Sequence, residues 1–195
     1  AVLEASVRSI VGEVDNLSAL LGEFRQFSRL PAPTLAPVDV NAIAGEVIAT
    51  YALETSATVA FTGPGEPTIV HADAGQLRQV LGNLLRNALD AVDADGRVRV
   101  HTDTVTKGDA RFVRIQVEDN GAGIEEEQQP KVFDPYVTTK RDGTGLGLAI
   151  VQRIVFDHHG HIWFETEPGV GSTFFVDLPL DYAGSTNEHD SRHRR

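Results

Sequence analysis

Apolar residues recur at alternating steps of four and three through the first thirty residues of the chain. The repeat consists of Leu3, Val7, Ile10, Val14, Leu17, Leu21, Phe24 and Ser28, of which only Ser28 is polar. Such a heptad predicts a helix over residues 1–30 that packs against other helices. The apolar stripe is widened by Val11, Leu20 and Phe27, which favours a helical bundle over a narrow coiled coil. The alternative is a helix that folds back onto the rest of the chain.

Three prolines follow within residues 31–37. Proline lacks a backbone donor and clashes with the preceding helical turn, so the N-terminal helix must end before this stretch. We therefore expect a linker over residues 31–38 and a separate domain over residues 39–180. The tail over residues 181–195 is polar and has no apolar periodicity, and it is predicted to be disordered.

Helical and extended patterns alternate within the predicted domain. Apolar positions at helical spacing predict helices over about residues 41–54, 74–92 and 145–158, the first capped by Asp39 or Asn41 and the second by Asp73. Alternating apolar and polar positions predict strands over residues 57–63, 68–72, 97–105, 111–119, 161–167 and 172–178. Residues 125–144 lack periodicity, which predicts a long loop, and such loops are usually functional.

Hairpins interleaved with helices are typical of an α/β (α+β) two-layer sandwich. We expect a mixed, mostly antiparallel sheet covered by helices on one face, preceded by the N-terminal helix.

Composition narrows the classes of function. The net charge of −11 disfavours a broad nucleic-acid-binding face, because neutralising phosphates requires clustered Lys and Arg. Cysteine is absent, which excludes disulfides and thiolate chemistry. No run of 18 apolar residues could span a membrane, so we expect a cytoplasmic location, including that of the cytoplasmic part of a membrane-bound sensor. Methionine is absent even at position 1, and we expect the sequence to be a fragment of a longer protein.

Two asparagines interrupt the strongest predicted helix. Asn83 and Asn87 lie four residues apart and therefore on one face of the 74–92 helix. Asparagine is a poor helix former, because its amide competes for backbone hydrogen bonds. One interpretation is a pair of amide oxygens aimed into a site, where a neutral oxygen ligand would suit Mg²⁺. The alternative is a solvated polar stripe.

Two glycine-rich clusters suggest phosphate binding, although neither has the spacing of a P-loop or a dinucleotide motif. In DNGAGI (119–124), Asp119 ends a strand and could accept a hydrogen bond from the exocyclic amine of adenine. A plain hairpin turn explains this cluster equally well. GTGLGL (143–148) opens a helix whose free N–H groups favour an anion, and Lys140 adds positive charge nearby. A flexible loop is the alternative there.

In this order, the segments resemble the ATP-binding catalytic domain of sensor histidine kinases, in the superfamily shared with gyrase, mismatch-repair ATPases and the large heat-shock chaperones. QLRQVLGNLLRNALDAV resembles the family's N box, DNGAGI its first glycine box and VFDPYVTTK its F box. GTGLGLAIVQRIV resembles the second glycine box and GVGSTFFVDLP the last glycine motif. The N-terminal EFRQFSRLPAP resembles the second helix of the dimerisation domain, particularly that of nitrogen-regulation sensor kinases.

The resemblance implies roles for residues at the two ends of a nucleotide site. Asn87 would coordinate Mg²⁺, and Asn83 would support the same polar face as a catalytic residue. Asp119 would bind the adenine amine, and Gly121 and Gly123 would shape that side of the pocket.

The resemblance also implies a lid over the phosphates. Phe133 would belong to the lid hinge, and Lys140 would reach the terminal phosphates as a second catalytic residue. The phosphates would be held by Gly143, Thr144, Gly145, Leu146 and Gly147. Thr173 would contact the adenine side through its hydroxyl or a water.

The implied activity is transfer of the γ-phosphoryl group of ATP to a histidine, with Mg²⁺ as cofactor. The implied partners are ATP or ADP, a response regulator, a histidine-bearing dimerisation domain and a second copy of the chain through residues 1–30. The histidines at positions 71, 101, 158, 159, 161, 189 and 193 all lie outside the N-terminal helix. We interpret them as structural and expect the acceptor helix to lie outside this sequence.

Three other functions remain open. The chain could be a nucleotide-binding pseudokinase or interaction module, or a serine kinase of the anti-sigma type. Efficient ATP hydrolysis is disfavoured, because Asn83 stands where the superfamily's ATPases carry a glutamate base and an amide cannot take a proton from water.

Overall fold

The computed structural model describes residues 30–53, 55–140 and 143–180, together with positions 7, 11 and 14. At those three positions Val7, Val11 and Val14 are helical, with side chains about half exposed. The rest of the predicted helix over 1–30 and the tail over 181–195 lie outside the described residues. Within the described part, no helix has both the length and the apolar character that crossing a membrane requires.

The described domain contains three helices and seven strands. In chain order they are β1 (Ala36–Asp39), α1 (Val40–Ala52), β2 (Thr58–Thr62), β3 (Ile69–Ala72), α2 (Ala74–Ala91), β4 (Arg97–Lys107), β5 (Ala110–Asp119), α3 (Gly147–Asp157), β6 (His161–Glu167) and β7 (Gly171–Pro179). A short 3₁₀ turn over Gln129–Lys131 lies in the long loop between β5 and α3.

Five strands form the main sheet in the spatial order β2-β4-β5-β7-β6. The β2–β4 pair is parallel and the other neighbours are antiparallel. The hydrophobic core joins one face of this sheet to residues from all three helices. This arrangement confirms the predicted two-layer fold with a mixed, mostly antiparallel sheet.

The pleat of the sheet separates core residues from surface residues. On β4 and β5, Val98, Val100, Val113 and Ile115 are fully buried, while the positions between them are partly or fully exposed. Successive side chains of a strand point to opposite faces, so each strand contributes every second residue to the core. This alternation decides which residues of β5 and β7 can face the helices.

The opposite face of the sheet carries polar and aromatic groups. Trp163 and Phe175 stack in parallel planes with ring centroids 5.0 Å apart. Asp177 is fully buried and forms ion pairs with Arg114 at 2.8 Å and with Lys107 at 2.9 Å. These two cations hold the pKa of Asp177 below its ordinary value against the opposing effect of burial.

Part of the predicted linker belongs to the domain. Residues 36–38 lie in β1, which pairs antiparallel with β3 in a separate two-stranded sheet. Pro37 is compatible with this strand because both strands of a two-stranded sheet are edge strands. An edge strand tolerates a residue that has no backbone N–H. The start of the linker is also attached, since the Gln76 side chain donates to the Pro31 carbonyl at 2.9 Å.

Candidate functional site

A cleft of about 1000 Å³ opens between α2, the turn after β5, the long loop and the start of α3. Most of the predicted site residues line it, namely Asn83, Asn87, Asp119, Gly123, Lys140, Gly143, Thr144, Gly145 and Gly147. The fold therefore brings together residues as far apart in sequence as Asn83 and Gly147, which are separated by 64 positions.

Asp119 forms one end of the cleft. It is the last residue of β5 and only 6% exposed. Its Oδ1 accepts hydrogen bonds from the backbone N–H groups of Gly121 at 2.9 Å and Ser172 at 3.3 Å. Burial nevertheless raises the pKa of Asp119 above its ordinary value. Within the described part of the chain, Oδ2 accepts no such bond and is left for a donor in the cleft.

The turn after Asp119 is not a hairpin. The neighbours of β5 are β4 and the distant β7, and the chain runs from the turn into the long loop. Gly123 has a φ of +69°, and a Cβ there would lie 2.3 Å from the Glu167 carbonyl oxygen. Gly121 lies just outside the cleft lining, packed against the Ala91 carbonyl. The two glycines thus let the turn pack closely beside Asp119.

Thr173 does not face the cleft, contrary to the role that the resemblance implied for it. Its neighbours across the sheet are Glu118 and Glu165, on the face opposite the helices, so its side chain lies away from the cleft. Ser172 occupies the cleft instead, directly opposite Asp119 on β5. Its hydroxyl is 2.9 Å from that of Thr166. The sequence carried the signal, because Phe174, Val176 and Leu178 point inward and the same parity includes Ser172.

One wall of the cleft is the polar face of α2. Asp73 caps α2. The rotation of α2 about its axis is fixed by a buried stripe that packs against the core, formed by Leu77, Leu81, Leu84 and Leu85. That rotation turns Asn83 and Asn87 towards the cleft. The Asn83 amide donates to the Gly147 carbonyl at 3.2 Å, so it joins α2 to the start of α3.

The beginning of α3 forms the next part of the site. No side-chain hydrogen bond caps this helix, so N–H groups of its first turn are available to a ligand. Gly147 lines the cleft, whereas Leu146 is fully buried and anchors the helix start in the core. Gly145 has a φ of +68°, and a Cβ there would lie 2.6 Å from the backbone carbon of Tyr136.

The lid, defined here as residues 133–140 and 143–146, is fixed at both ends. Phe133 lies outside the cleft lining and packs edge to face against Phe164 and Phe174, at centroid distances of 5.9 and 6.5 Å. At the other end, the N–H of Tyr136 donates to the Gly145 carbonyl at 3.0 Å. Lys140 extends from the lid to α2, where its ammonium lies 2.7 Å from Asp90 Oδ2 and 3.4 Å from Asn87 Oδ1.

Asp90 lines the cleft but was not among the residues predicted from the sequence. It follows Asn83 and Asn87 at steps of four and three, which place all three on one face of α2. Helical spacing could therefore have identified it, whereas its contact with Lys140, fifty residues away, could not be read from the sequence.

The sequence profile described as "Histidine kinase-, DNA gyrase B-, and HSP90-like ATPase" matches residues 72–182, more than half of the chain. The chain belongs to this family. The match confirms the predicted resemblance to an ATP-binding domain and covers α2, the lid and every predicted site residue.

The relatives that the chain matches include sensor kinases. The chain is 36% identical over 179 residues to the signal transduction histidine-protein kinase AtoS of Escherichia coli (strain K12), covering 90% of the chain and 29% of AtoS. It is 31% identical over 182 residues to the sensory histidine kinase/phosphatase NtrB of Rhodobacter capsulatus, covering 88% of the chain and 51% of NtrB. The chain thus spans about a third to a half of the length of these relatives.

Solved structures similar to this chain include several histidine kinases. The catalytic domain of ThkA superposes with a TM-score of 0.67 at 31% identity, covering 75% of the chain and 95% of that domain. Full-length ShkA in complex with AMPPNP gives a TM-score of 0.77 at 30% identity, covering 94% and 40%. ThkA in complex with the response regulator protein TrrA gives 0.73 at 25% identity, covering 92% and 52%. The chain is therefore a histidine kinase ATPase domain by sequence and by fold.

Proposed function

We propose that the cleft binds ATP with Mg²⁺ and that the domain transfers the γ-phosphoryl group to a histidine of a dimerisation domain. The observation that carries this proposal is the pairing of two ends in one cleft. A buried carboxylate with a free oxygen lies at one end, and two amides, an ammonium and an uncapped helix start lie at the other. This arrangement matches a molecule with an amine-bearing ring and an anionic chain.

The adenine end of the site would be built by Asp119 and Ser172. Asp119 Oδ2 is an acceptor that suits the N6 amine of adenine. The two backbone donors on Oδ1 fix the orientation of the carboxylate before a ligand arrives. The Ser172 hydroxyl would support the same edge directly or through a water, the role that the resemblance implied for Thr173.

The donor set of the cleft fits magnesium bound together with phosphates. Among the described residues, no three His, Cys, Asp or Glu side chains converge in a way that could hold a metal alone. Mg²⁺ commonly takes one or two protein oxygens and completes its octahedron with water and phosphate oxygens. Asn87 would supply such an oxygen, and the bound ion would neutralise negative charge that develops on the phosphates.

The chain's own groups would position the phosphates for transfer. The N–H groups at the start of α3 and the Lys140 ammonium would hold phosphate oxygens, and the lid would exclude water. Asn83 supports this end through its bond to Gly147 and offers no base for activating water. Positioning and charge stabilisation account for most of the catalysis of phosphoryl transfer.

The remainder of the reaction would involve groups outside the described residues. The acceptor would be a histidine of a dimerisation domain, and the phosphoryl group would pass on to a response regulator. The relatives named as sensor histidine kinases support this assignment, and the ThkA–TrrA complex supports the class of partner. Residues 1–30 would contribute a dimerisation-type helix.

The test is phosphotransfer in trans. The chain is incubated with γ-labelled ATP, Mg²⁺ and the histidine-bearing dimerisation domain of a homologous kinase, with Asn87→Ala as the comparison. We expect acid-labile, alkali-stable label on the added domain, and a loss of at least tenfold in Asn87→Ala. Acid-stable label on serine would identify a serine kinase. Nucleotide binding without any transfer would identify a pseudokinase.

A further inference from the structure

The ammonium of Lys140 lies between two oxygens of α2. It is 2.7 Å from Asp90 Oδ2 and 3.4 Å from Asn87 Oδ1. Both members of the ion pair are partly exposed, with side-chain exposures of 40% for Lys140 and 46% for Asp90. The pair is therefore open enough to exchange partners, because water and other ions can replace either contact.

The position of this ammonium depends on the shape of the lid. The Lys140 N–H donates to the Thr138 hydroxyl at 3.1 Å, and the Lys140 carbonyl accepts from Gly143 N–H at 3.2 Å. Gly143 is itself closely packed, since a Cβ there would lie 2.5 Å from the Thr138 hydroxyl. Lys140 thus sits in a folded turn, and its ion pair attaches that turn to α2.

A metal ion and phosphates in the cleft would disfavour this position of the ammonium. A Mg²⁺ ion at its usual distance of about 2.1 Å from Asn87 Oδ1 would lie no more than about 5.5 Å from the ammonium nitrogen. Two cations at that separation repel each other, whereas a phosphate oxygen attracts both. Movement of the ammonium from Asp90 to the polyphosphate would relieve this repulsion.

We propose that Asp90 is a positioning residue that holds Lys140 against α2, and that it competes with the nucleotide polyphosphate for this ammonium. The lid contact rests on the structure of the chain alone, while the competition rests on the proposed function. In the fraction of molecules that have this ion pair, Lys140 is not free to bind phosphate. The more stable the pair is, the more it weakens nucleotide affinity. Asp90 would accordingly set how readily the lid engages the nucleotide.

A simpler electrostatic effect must be distinguished from this competition for Lys140. Removing any carboxylate beside the cleft reduces its repulsion of an anionic ligand. If Asp90 competes with the nucleotide for Lys140, the gain in nucleotide affinity on removing Asp90 requires Lys140. A general electrostatic gain in affinity does not. A double-mutant cycle with Asp90→Asn and Lys140→Gln measures this difference, because it isolates the coupling between the two side chains.

The first measurement is hydrogen exchange of the backbone amides of residues 133–140 without nucleotide. We expect faster exchange in Asp90→Asn and in Lys140→Gln, with no further increase in the double variant. Asp93→Asn is the matched control, since it removes an equal charge from an exposed residue that does not line the cleft. Unchanged exchange in Asp90→Asn would overturn the lid contact whether or not the chain binds nucleotide.

The second measurement is calorimetric titration of ADP with Mg²⁺ into the same variants. Asp90→Asn is expected to tighten binding by about two- to fivefold, the range spanned by partly exposed ion pairs. The gain should vanish in the Lys140→Gln background and be absent in Asp93→Asn. A gain in ADP affinity that persists at full size in the Lys140→Gln background would overturn the proposed competition for Lys140. Absence of ADP binding by the unaltered chain would overturn the competition and the proposed function together, and leave the hydrogen-exchange result standing.

Discussion

The carboxyl group of Asp119 lies at a place where a negative charge is unfavourable. Burial raises its pKa, and the two backbone hydrogen bonds on Oδ1 only partly offset that effect. A group whose pKa is raised in the folded state destabilises the fold once it ionises. The free energy of unfolding is therefore expected to fall as the pH rises from the unfolded value of about 3.9 through the raised pKa of Asp119.

Replacement of Asp119 by asparagine should separate stability from binding. The amide oxygen can still accept from Gly121 and Ser172, while the cost of ionisation disappears. We expect Asp119→Asn to raise the melting temperature by a few degrees at pH 7 and to abolish nucleotide binding. Thermal denaturation from pH 3.5 to pH 7 measures the effect. The gain should shrink towards the acid end of this range, and a variant less stable at pH 7 would contradict the account.

Ser172 and Thr173 provide a matched pair of adjacent hydroxyls on opposite faces of β7. Ser172→Ala is expected to weaken ADP binding about fivefold, since the loss of one net hydrogen bond costs about 1 kcal/mol. Thr173→Val should leave binding unchanged, because its side chain lies on the far face of the sheet. Calorimetric titration of both variants decides the point. The reverse order of effects would mean that the strand is rotated relative to the structure.

Most of the site residues that were predicted from the sequence and its resemblance line the cleft. Asn83, Asn87, Asp119 and Lys140 all line the cleft. Thr173 was misassigned because sequence motifs specify a segment, whereas the pleat of the sheet decides which of two neighbouring residues faces inward. The partner of Lys140 was not predictable, because a contact between a loop and a helix depends on the fold of both.

At the scale of elements, Asp73 joins three parts of the domain. Its Oδ1 caps α2 through the N–H groups of Gly75 and Gln76, and its Oδ2 accepts from Thr34 N–H at 3.0 Å. Its own N–H donates to Nε2 of His158, just after α3. Nδ1 of the same ring then carries the hydrogen and donates to the Ile154 carbonyl at 2.8 Å. The segment around Thr34 is thereby tied to α2 and to the end of α3.

Loss of this cap should destabilise the domain in a pH-dependent way. Asp73→Ala is expected to lower the free energy of unfolding by about 1–2 kcal/mol, the usual cost of losing a helix cap. The hydrogen bonds from Gln76, Thr34 and Gly75 hold the pKa of Asp73 below its ordinary value. Its ionised form therefore stabilises the fold above the unfolded value of about 3.9, and this contribution is lost as the pH falls through the folded pKa.

Chemical denaturation of Asp73→Ala and Asp73→Asn at several pH values tests this cap. Asparagine retains an acceptor and is a good N-cap, so Asp73→Asn should lose much less stability than Asp73→Ala. The difference in free energy of unfolding between the unaltered chain and Asp73→Ala should become smaller at acid pH. Equal losses in the two variants at pH 7 would contradict the capping role.

The elements differ in how far the sequence determined them. The strong apolar periodicity of α2 and its capping residue predicted its bounds to within one residue. β1 was not predicted, because prolines dominate residues 31–37 and its pairing with β3 depends on tertiary contacts. The parallel pairing of β2 with β4 was not predictable from alternation, which is similar in parallel and antiparallel edge strands.

At the scale of the whole molecule, the charge of the cleft differs from that of the chain. The chain carries a net charge of −11, which by itself repels an anionic nucleotide. Within the described residues, the charged groups lining the cleft are balanced, with Arg78, Arg86 and Lys140 against Glu46, Asp90 and Asp119. Binding of a polyphosphate in this setting is expected to depend on added positive charge, which Mg²⁺ supplies.

The central claim is that one cleft binds the base at Asp119 and the metal-bound phosphates at Asn87. The most direct test is calorimetric titration of ADP and a non-hydrolysable ATP analogue, with and without Mg²⁺, into the chain, Asp119→Asn and Asn87→Ala. We predict micromolar binding that Mg²⁺ strengthens, loss of binding in Asp119→Asn, and loss of the Mg²⁺ dependence in Asn87→Ala. Absence of binding by the unaltered chain, with its circular dichroism spectrum intact, would contradict the claim.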